Sequence, residues 1–142
     1  MGASMIVSFT GEHRFLSNFY PSPIEMYGDI YPTVEHAFQA AKAAMVIDRQ
    51  RIRNASSPAL AKSLGREVLL RPLWDSMRLS VMERLLERKF AIPALRAMLL
   101  GTGNQELIEG NTWGDTFWGI CHGQGDNQLG KLLMKIREEL KA

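Results

Sequence analysis

Three polar side chains between Glu35 and Lys42 have the types and the spacing that acid–base chemistry needs. On a helix, Glu35, Gln39 and Lys42 occupy positions i, i+4 and i+7, so all three project from one face. The carboxyl group can move protons, and the amine can act as a nucleophile. The alternative, which this helix alone favours, is a solvated face with only intrahelical bonds. His36 points elsewhere and fits a structural histidine better than a ligand.

A second group of residues supplies positive charge and an aromatic ring. Arg66 follows Gly65 at a predicted helix end, Trp74 and Arg78 are four residues apart, and Lys89 lies eleven residues beyond Arg78. These cations could hold a phosphate or pyrophosphate, arginine as a fork and lysine as a point charge. The spacing equally allows structural roles, in which an arginine caps helix carbonyls or stacks on the tryptophan.

A third group lies in segment 111–119, which is rich in glycine and aromatic residues and contains Trp113, Asp115 and Trp118. Binding residues concentrate on loops of this kind, and we therefore favour a binding role. The alternative is that the aromatic rings fill a small core while Asp115 caps a turn. The glycines before Asn127 could cradle an anion at a helix start, although a simple turn and cap explains them equally well.

The elements that must position these groups are mainly helical. Thr33 is a good N-cap for a first helix, and Ser57 followed by Pro58 marks the start of a second. Apolar periodicity and end signals predict helices over residues 34–44, 58–65, 75–89, 94–100 and 128–140. Extended pieces are predicted at 6–9 and around a turn at 27–31, a partly buried loop at 15–21, and a brief turn at 104–109. The expected fold class is α+β, a compact, mainly α domain with a few short strands.

The composition bears on the number of domains, the need for a structural metal, the cellular compartment and the kind of partner. With 142 residues, 46% hydrophobic and 23% charged, the chain can bury a core as one domain without disulfides or a structural metal. Cys121 is the single cysteine, and together with three histidines it is too little for a zinc cluster, which favours a reducing, cytoplasmic setting. The chain's net charge of +2 does not by itself indicate a polyanionic partner, although a local basic site needs only a few cationic side chains. Residues 1–4 are interpreted as a cloning remnant, which places the domain at 5–142.

Eight sequence blocks in order along the chain resemble the NADAR, or YbiA-like, family. They include LSNFYPS from Leu16, YPTVEHAFQAAK from Tyr31 and N.WGD.FWG from Asn111, and the resemblance extends from Phe9 to Arg137. It implies a mainly α fold and an N-glycosidase-type activity without a cofactor or metal. It places the family's motif residues on Asn18, Phe19, Glu35, Lys42, Trp74 and Asp115.

The resemblance also implies two substrate classes. One is ADP-ribose attached to guanine in nucleic acid, with functional pairing to a DarT-like ADP-ribosyltransferase whose modification the enzyme reverses. The other is the ribosylaminopyrimidine phosphates of riboflavin synthesis. We expect removal of ADP-ribose from guanine, with the riboflavin intermediates as the alternative. A non-catalytic module that binds NAD or ADP-ribose is a second alternative, but two carboxylates would add little to recognition of an anion.

Two mechanisms fit these residues. Glu35 and Asp115 could act as a pair of carboxylates in different environments, or Lys42 could form a Schiff base with the sugar carbon while Glu35 moves protons. We favour the Lys42 route. The catalytic residues predicted from the sequence are Glu35, Lys42 and Asp115. The predicted substrate-binding residues are Asn18, Phe19, Arg66, Trp74, Arg78, Lys89, Trp113, Trp118 and Asn127.

Overall fold

The computed structural model describes residues 4–142, so most of the predicted cloning remnant lies outside the described residues. The helices are α1 (Val34–Lys42), α2 (Val46–Arg53), α3 (Pro58–Gly65), α4 (Trp74–Lys89), α5 (Pro93–Gly101) and α6 (Gln128–Leu140), with a 3-10 helix at Gly11–Leu16. The strands are β1 (Met5–Ile6), β2 (Ile24–Met26), β3 (Asp29–Tyr31), β4 (Glu106–Leu107), β5 (Gly110–Asn111) and β6 (Ile120–Cys121). The predicted mainly α fold with a few short strands is confirmed. None of the helices within 4–142 has the length and apolar character to cross a membrane.

The chain forms two units, the first of which comprises Asn18–Lys89. Helix α1 packs against α2, α3 and α4 there, and every residue from Val34 to Ala41 is buried. The expectation of a solvated face on this helix is therefore wrong. The Thr33 hydroxyl oxygen accepts from the His36 backbone N–H at 3.1 Å, as an N-cap should. The buried His36 ring contacts the Thr33 hydroxyl at 2.8 Å and the Ala55 carbonyl at 3.0 Å, which confirms its structural role.

Local signals place the other elements of this unit. Ser57 caps α3 by accepting from the Leu60 N–H at 3.1 Å, and Pro58 occupies the first turn. Strands β2 and β3 form an antiparallel hairpin, and Tyr27 and Gly28 make its turn with φ values of 54° and 79°. Two consecutive residues with positive φ are the signature of a tight hairpin turn. The predicted turn between two extended pieces is confirmed.

Helix α2 was not predicted. Ile52 is its one buried residue, and its N-cap, Met45, makes no side-chain hydrogen bond. Tertiary contacts hold it instead: the Arg49 side chain donates to the Ala43 carbonyl at 3.1 Å, and the Gln50 amide donates to Asp29 at 2.9 Å. Neither an apolar stripe nor a cap was available to reveal this helix in the sequence.

The second unit contains the described residues up to Ser17 together with Phe90–Ala142. Helix α5 packs against α6 and the 3-10 helix, and β1 and β5 pair in parallel with β4 and β6 respectively. The predicted turn at 104–109 is wrong in part, because Glu106–Leu107 pairs with Met5–Ile6 as a strand. A two-residue strand whose partner lies about a hundred residues away leaves no periodic signal in the sequence.

Candidate active site

Glu35 and Gln39 form the centre of the polar face of α1. Both side chains are buried, and Gln39 Nε2 donates to Glu35 Oε2 at 2.6 Å. This bond fixes the orientation of the amide and therefore directs Gln39 Oε1 away from the carboxylate. Gln39 Oε1 is buried and has no hydrogen-bond partner among residues 4–142. A buried acceptor without a donor costs stability, so it marks a position where a ligand donor would be favourable.

Gly65, the last residue of α3, makes room for Gln39. A Cβ atom at this position would lie 1.9 Å from Gln39 Oε1, a distance that no packed structure tolerates. A side chain at residue 65 would therefore force Gln39 out of this position, and glycine leaves the amide its place. Gln39 was recognised in the polar strip but was not among the predicted site residues, and its i+4 spacing from Glu35 was the signal that pointed to it.

Lys42 lies half-buried in the last turn of the same helix. Burial lowers the pKa of its ammonium group below the ordinary value, the Glu35 carboxylate opposes this by raising the pKa, and the Arg66 guanidinium adds to the lowering. A lowered pKa increases the fraction of neutral amine, which is the nucleophilic form. The electrostatic influence of both partners places Glu35, Lys42 and the exposed Arg66 in one neighbourhood.

Asn18 joins this neighbourhood through its backbone. Its carbonyl accepts from the Glu35 backbone N–H at 3.1 Å, and its side-chain Nδ2 contacts Met82 Sδ at 3.6 Å. Asn18 Oδ1 is a second buried oxygen with no hydrogen-bond partner in the described chain. The adjacent Phe19 ring is 39% exposed. Asn18 therefore offers a hydrogen-bond acceptor without a donor beside Glu35, and the neighbouring Phe19 offers an accessible ring.

The remaining predicted residues of this unit lie on α4 and differ in exposure. Trp74 is buried and packs against Phe38, with ring centroids 5.2 Å apart, whereas Arg78 is half-buried. Lys89 is fully buried, with Nζ 5.7 Å from the centre of the Tyr20 ring, and burial lowers its pKa to about 7. Stacking of Trp74 on a base and a phosphate contact from Lys89 stay predictions. The structure gives both side chains a place in the packed interior.

Asp115 organises the loop of the second unit. Its Oδ1 accepts from the backbone N–H groups of Phe117 at 3.1 Å and Trp118 at 2.9 Å, while Asn111 Oδ1 accepts from the Asp115 N–H at 3.1 Å. The turn-capping alternative is therefore present in the structure. Asp115 Oδ2 makes no hydrogen bond within residues 4–142, and a catalytic role for this carboxylate stays a prediction.

The aromatic residues of this loop divide into an exposed one and a packed pair. Trp113 is 61% exposed, whereas Phe117 and Trp118 meet edge to face at 4.8 Å. An exposed tryptophan next to Gly114, which has φ of 88°, suits stacking on a base better than filling a core. Trp118 as a substrate contact stays a prediction.

Asn127 has a structural role at the start of α6. Its Nδ2 donates to the Leu107 carbonyl at 2.9 Å, and its Oδ1 accepts from the Glu109 N–H at 2.9 Å. These bonds tie the start of α6 to the end of β4 and to Glu109, two residues further on. A ligand contact from this side chain stays a prediction.

The structure thus groups the predicted residues by unit. Asn18, Glu35, Lys42 and Arg66 meet around α1, with Gln39 as an addition, whereas Trp113, Asp115 and Trp118 share one loop of the other unit.

Comparison with known proteins gives concordant results. The family model described as NADAR domain matches residues 8–141. N-glycosidase YbiA of Escherichia coli (strain K12) is 42% identical over 137 residues, which cover 94% of this chain and 85% of that protein. The NMR structure of the E. coli protein YbiA superposes with a TM-score of 0.87 at 40% identity and covers 99% of this chain and 87% of the solved one.

A longer protein also contains a similar region. A riboflavin biosynthesis protein of Vibrio vulnificus (strain YJ016) is 39% identical over 133 residues, which cover 91% of this chain but 36% of that protein. The similarity therefore extends to proteins with different names and different lengths.

Proposed function

Because the chain belongs to the NADAR domain family, we propose that it is a hydrolase that cleaves an N-glycosidic bond. The observation that carries this proposal is the polar face of α1, where Gln39 orients the buried Glu35 carboxyl and the pKa of Lys42 is lowered. The names of the E. coli relative and of its solved structure's protein support the same reaction class. Cleavage of such a bond requires a proton donor for the leaving nitrogen, and Glu35 supplies a carboxyl group for that purpose.

The proposed route begins with the opening of the sugar ring. The lone pair of the leaving nitrogen forms a double bond to the anomeric carbon as the ring C–O bond breaks, and the proton of that nitrogen passes to the ring oxygen. The neutral Lys42 Nζ attacks that carbon, and Glu35 carries the two Nζ protons to the leaving nitrogen, which departs as an amine when its bond to carbon breaks. The resulting Schiff base between Lys42 and the sugar is hydrolysed by water, which releases the free sugar and restores the amine. The net reaction adds one water molecule across the N-glycosidic bond.

Within this class, the proposed substrate is ADP-ribose attached to guanine in nucleic acid. The exposed Trp113 ring offers a surface on which a base could stack. Arg66 and Arg78 supply guanidinium groups suited to the pyrophosphate. This proposal includes functional pairing with a DarT-like ADP-ribosyltransferase that would produce the modified base.

A second candidate substrate is a ribosylaminopyrimidine phosphate of riboflavin synthesis. The name of the Vibrio vulnificus relative, a riboflavin biosynthesis protein, specifically favours it. The same Lys42 chemistry applies, because the sugar carbon again bears nitrogen. Arg66 and Arg78 would then bind a single phosphate group instead of a pyrophosphate.

The direct test is to incubate the protein separately with ADP-ribosylated guanosine and with the ribosylaminopyrimidine phosphate and to quantify the released sugar. Release of free ADP-ribose at the higher kcat/KM supports the first substrate, and faster cleavage of the pyrimidine compound transfers the assignment to the second. If the protein binds either compound without cleaving it, the hydrolase proposal is wrong and a recognition module takes its place.

A further inference from the structure

A cavity of about 590 Å³ lies between α4 and the β2–β3 hairpin, within the unit Asn18–Lys89. Its polar lining includes three arginines, Arg71, Arg84 and Arg88, and two serines, Ser76 and Ser80. Its apolar lining comes from Met26, Met77, Val81 and Leu85. We call this cavity the arginine groove. Its volume falls in the range of small-molecule sites, about 300–1,000 Å³.

The arginine groove lies on a different side of α4 from the candidate active site. With about 100° per residue, the mean direction of Arg84 and Arg88 differs by roughly 130° from that of Met82 and Lys89. Met82 contacts Asn18, and Lys89 lies over the Tyr20 ring. The groove therefore opens away from the helix face that adjoins Asn18 and Glu35.

Two of the arginines are held in place by the protein and keep spare donors. Arg71 Nη1 donates to the Tyr27 hydroxyl at 2.8 Å and to the Ala41 carbonyl at 3.2 Å, and Arg88 Nη1 donates to the Glu25 carbonyl. These contacts use one nitrogen of each guanidinium. The remaining N–H groups of both side chains have no partner within residues 4–142.

The charge of the groove is not balanced from within. None of the carboxylates in the described part of the chain forms an ion pair with Arg71, Arg84 or Arg88, and Arg84 makes no hydrogen bond there either. Arg84 and Arg88 are four residues apart on one helix, a spacing at which like charges repel. Structural capping explains one nitrogen each of Arg71 and Arg88, but it does not explain Arg84. A bound anion would neutralise the cluster and use the spare donors.

We propose that the arginine groove is a second binding site, for a small organic phosphate of the nucleoside phosphate class. Arg71, Arg84 and Arg88 would hold the phosphate by charge-assisted hydrogen bonds, with the Ser80 hydroxyl as an additional donor. The methionine, valine and leucine side chains would cover the apolar or flat part of the molecule. The proposal does not depend on the reaction at Glu35 and Lys42.

The test is NMR titration of the ¹⁵N-labelled protein with adenosine 5′-monophosphate, with adenosine as the uncharged comparison. Saturable shifts of the amide signals of Ser80, Val81 and Arg84 with the phosphate but not with adenosine are expected. Arg84→Gln should raise the Kd at these signals by about tenfold, the loss of one charge-assisted hydrogen bond. Arg51→Gln is the matched control, because Arg51 is an exposed arginine of the same unit that pairs with Asp48 outside the groove.

Three results would overturn the proposal. The first is the absence of saturable shifts at the groove signals, and the second is an equal Kd in Arg84→Gln and in the wild-type protein. The third comes from a short single-stranded oligonucleotide added in place of the mononucleotide. If the oligonucleotide shifts the groove signals and the mononucleotide does not, the groove belongs to a nucleic-acid surface and the small-molecule assignment is wrong.

Discussion

Glu35 is a carboxyl group that a neighbouring amide holds in one orientation inside a buried environment. Glu35→Gln preserves size and hydrogen-bonding reach but removes the titratable proton. We expect kcat to fall by about 100- to 10,000-fold, the usual contribution of a general acid–base group, with little change in Tm. Glu67→Gln, which alters an exposed carboxyl of the same unit, is the control and should leave kcat unchanged. A near-normal kcat in Glu35→Gln would remove Glu35 from the mechanism.

The Asp115 side chain orders its loop through Oδ1, and it is also predicted to take part in the reaction as a carboxylate. Two substitutions separate these roles. Asn retains the Oδ1 acceptor that binds the Phe117 and Trp118 N–H groups, whereas Ala removes it. We expect Asp115→Asn to lose activity at an unchanged Tm, and Asp115→Ala to lose activity and also about 1 kcal/mol of stability. Kinetics and thermal unfolding of both variants provide the measurement. If Asp115→Asn stays active while Asp115→Ala fails, the residue only orients the loop.

For individual residues, the sequence predicted which polar side chains share one face of α1, but it did not predict whether those side chains are buried. The i, i+4, i+7 strip correctly placed Glu35 near Gln39, because helix geometry alone determines which side chains share a face. It did not reveal that the strip is buried, because burial depends on α2, α3 and α4 packing around α1. The deep burial of Trp74 and Lys89 has the same origin and left no mark in the local sequence.

At the element scale, the contact between the end of α3 and Gln39 provides a prediction with a built-in control. Gly65 and Gly101 are the last residues of α3 and α5, but a Cβ atom would collide with Gln39 at the first and meets open space at the second. Gly65→Ala should displace Gln39, loosen its bond to Glu35 and lower kcat. Gly101→Ala should leave activity intact and stability unchanged or slightly raised.

The measurement is kcat together with chemical denaturation for both glycine variants. Equal kcat in Gly65→Ala and the wild-type protein would show that the approach of α3 to Gln39 does not matter for the reaction. Loss of activity in both variants would show a general effect of alanine at helix ends instead.

Element boundaries were predictable wherever a cap or a stop signal stands in the sequence. The starts of α1 and α3 follow Thr33 and Ser57, and the predicted last helix matches α6 at both ends. Helix α2 and strand β4 had no such signal, because tertiary contacts hold the first and a distant strand the second. Local propensity is a weak guide where distant contacts decide the structure.

At the scale of the whole molecule, the fully buried Lys89 couples stability to pH. Its pKa of about 7 lies below the ordinary lysine value near 10.4, so between these values the unfolded chain binds more protons than the folded chain. The contribution of Lys89 to the free energy of unfolding should therefore rise with pH from about 7 to about 10, by up to about 1.4 kcal/mol per unit. Below pH 7 the full cost of burying the charge is present.

Lys89→Met keeps the volume of the side chain and removes the charge. Denaturation of both proteins from about pH 6 to about pH 10 should give a difference in stability that favours the variant at low pH and shrinks as pH rises. Parallel curves would contradict this account of Lys89. The same variant tests the predicted contact between Lys89 and the substrate phosphate. Loss of that contact would raise KM for a phosphorylated substrate but not for an unphosphorylated nucleoside.

Lys42 is proposed to attack the sugar carbon of an N-linked substrate, and borohydride reduction during turnover tests this attack most directly. The reduced protein should gain the mass of the sugar moiety on the peptide that contains Lys42. Lys42→Arg should lose both the adduct and the activity, because a guanidinium stays protonated and cannot form the imine, whereas Lys131→Arg should behave like the wild-type protein. Absence of any adduct during active turnover, together with continued activity of Lys42→Arg, would contradict nucleophilic attack by Lys42 and leave proton transfer by carboxylates as the mechanism.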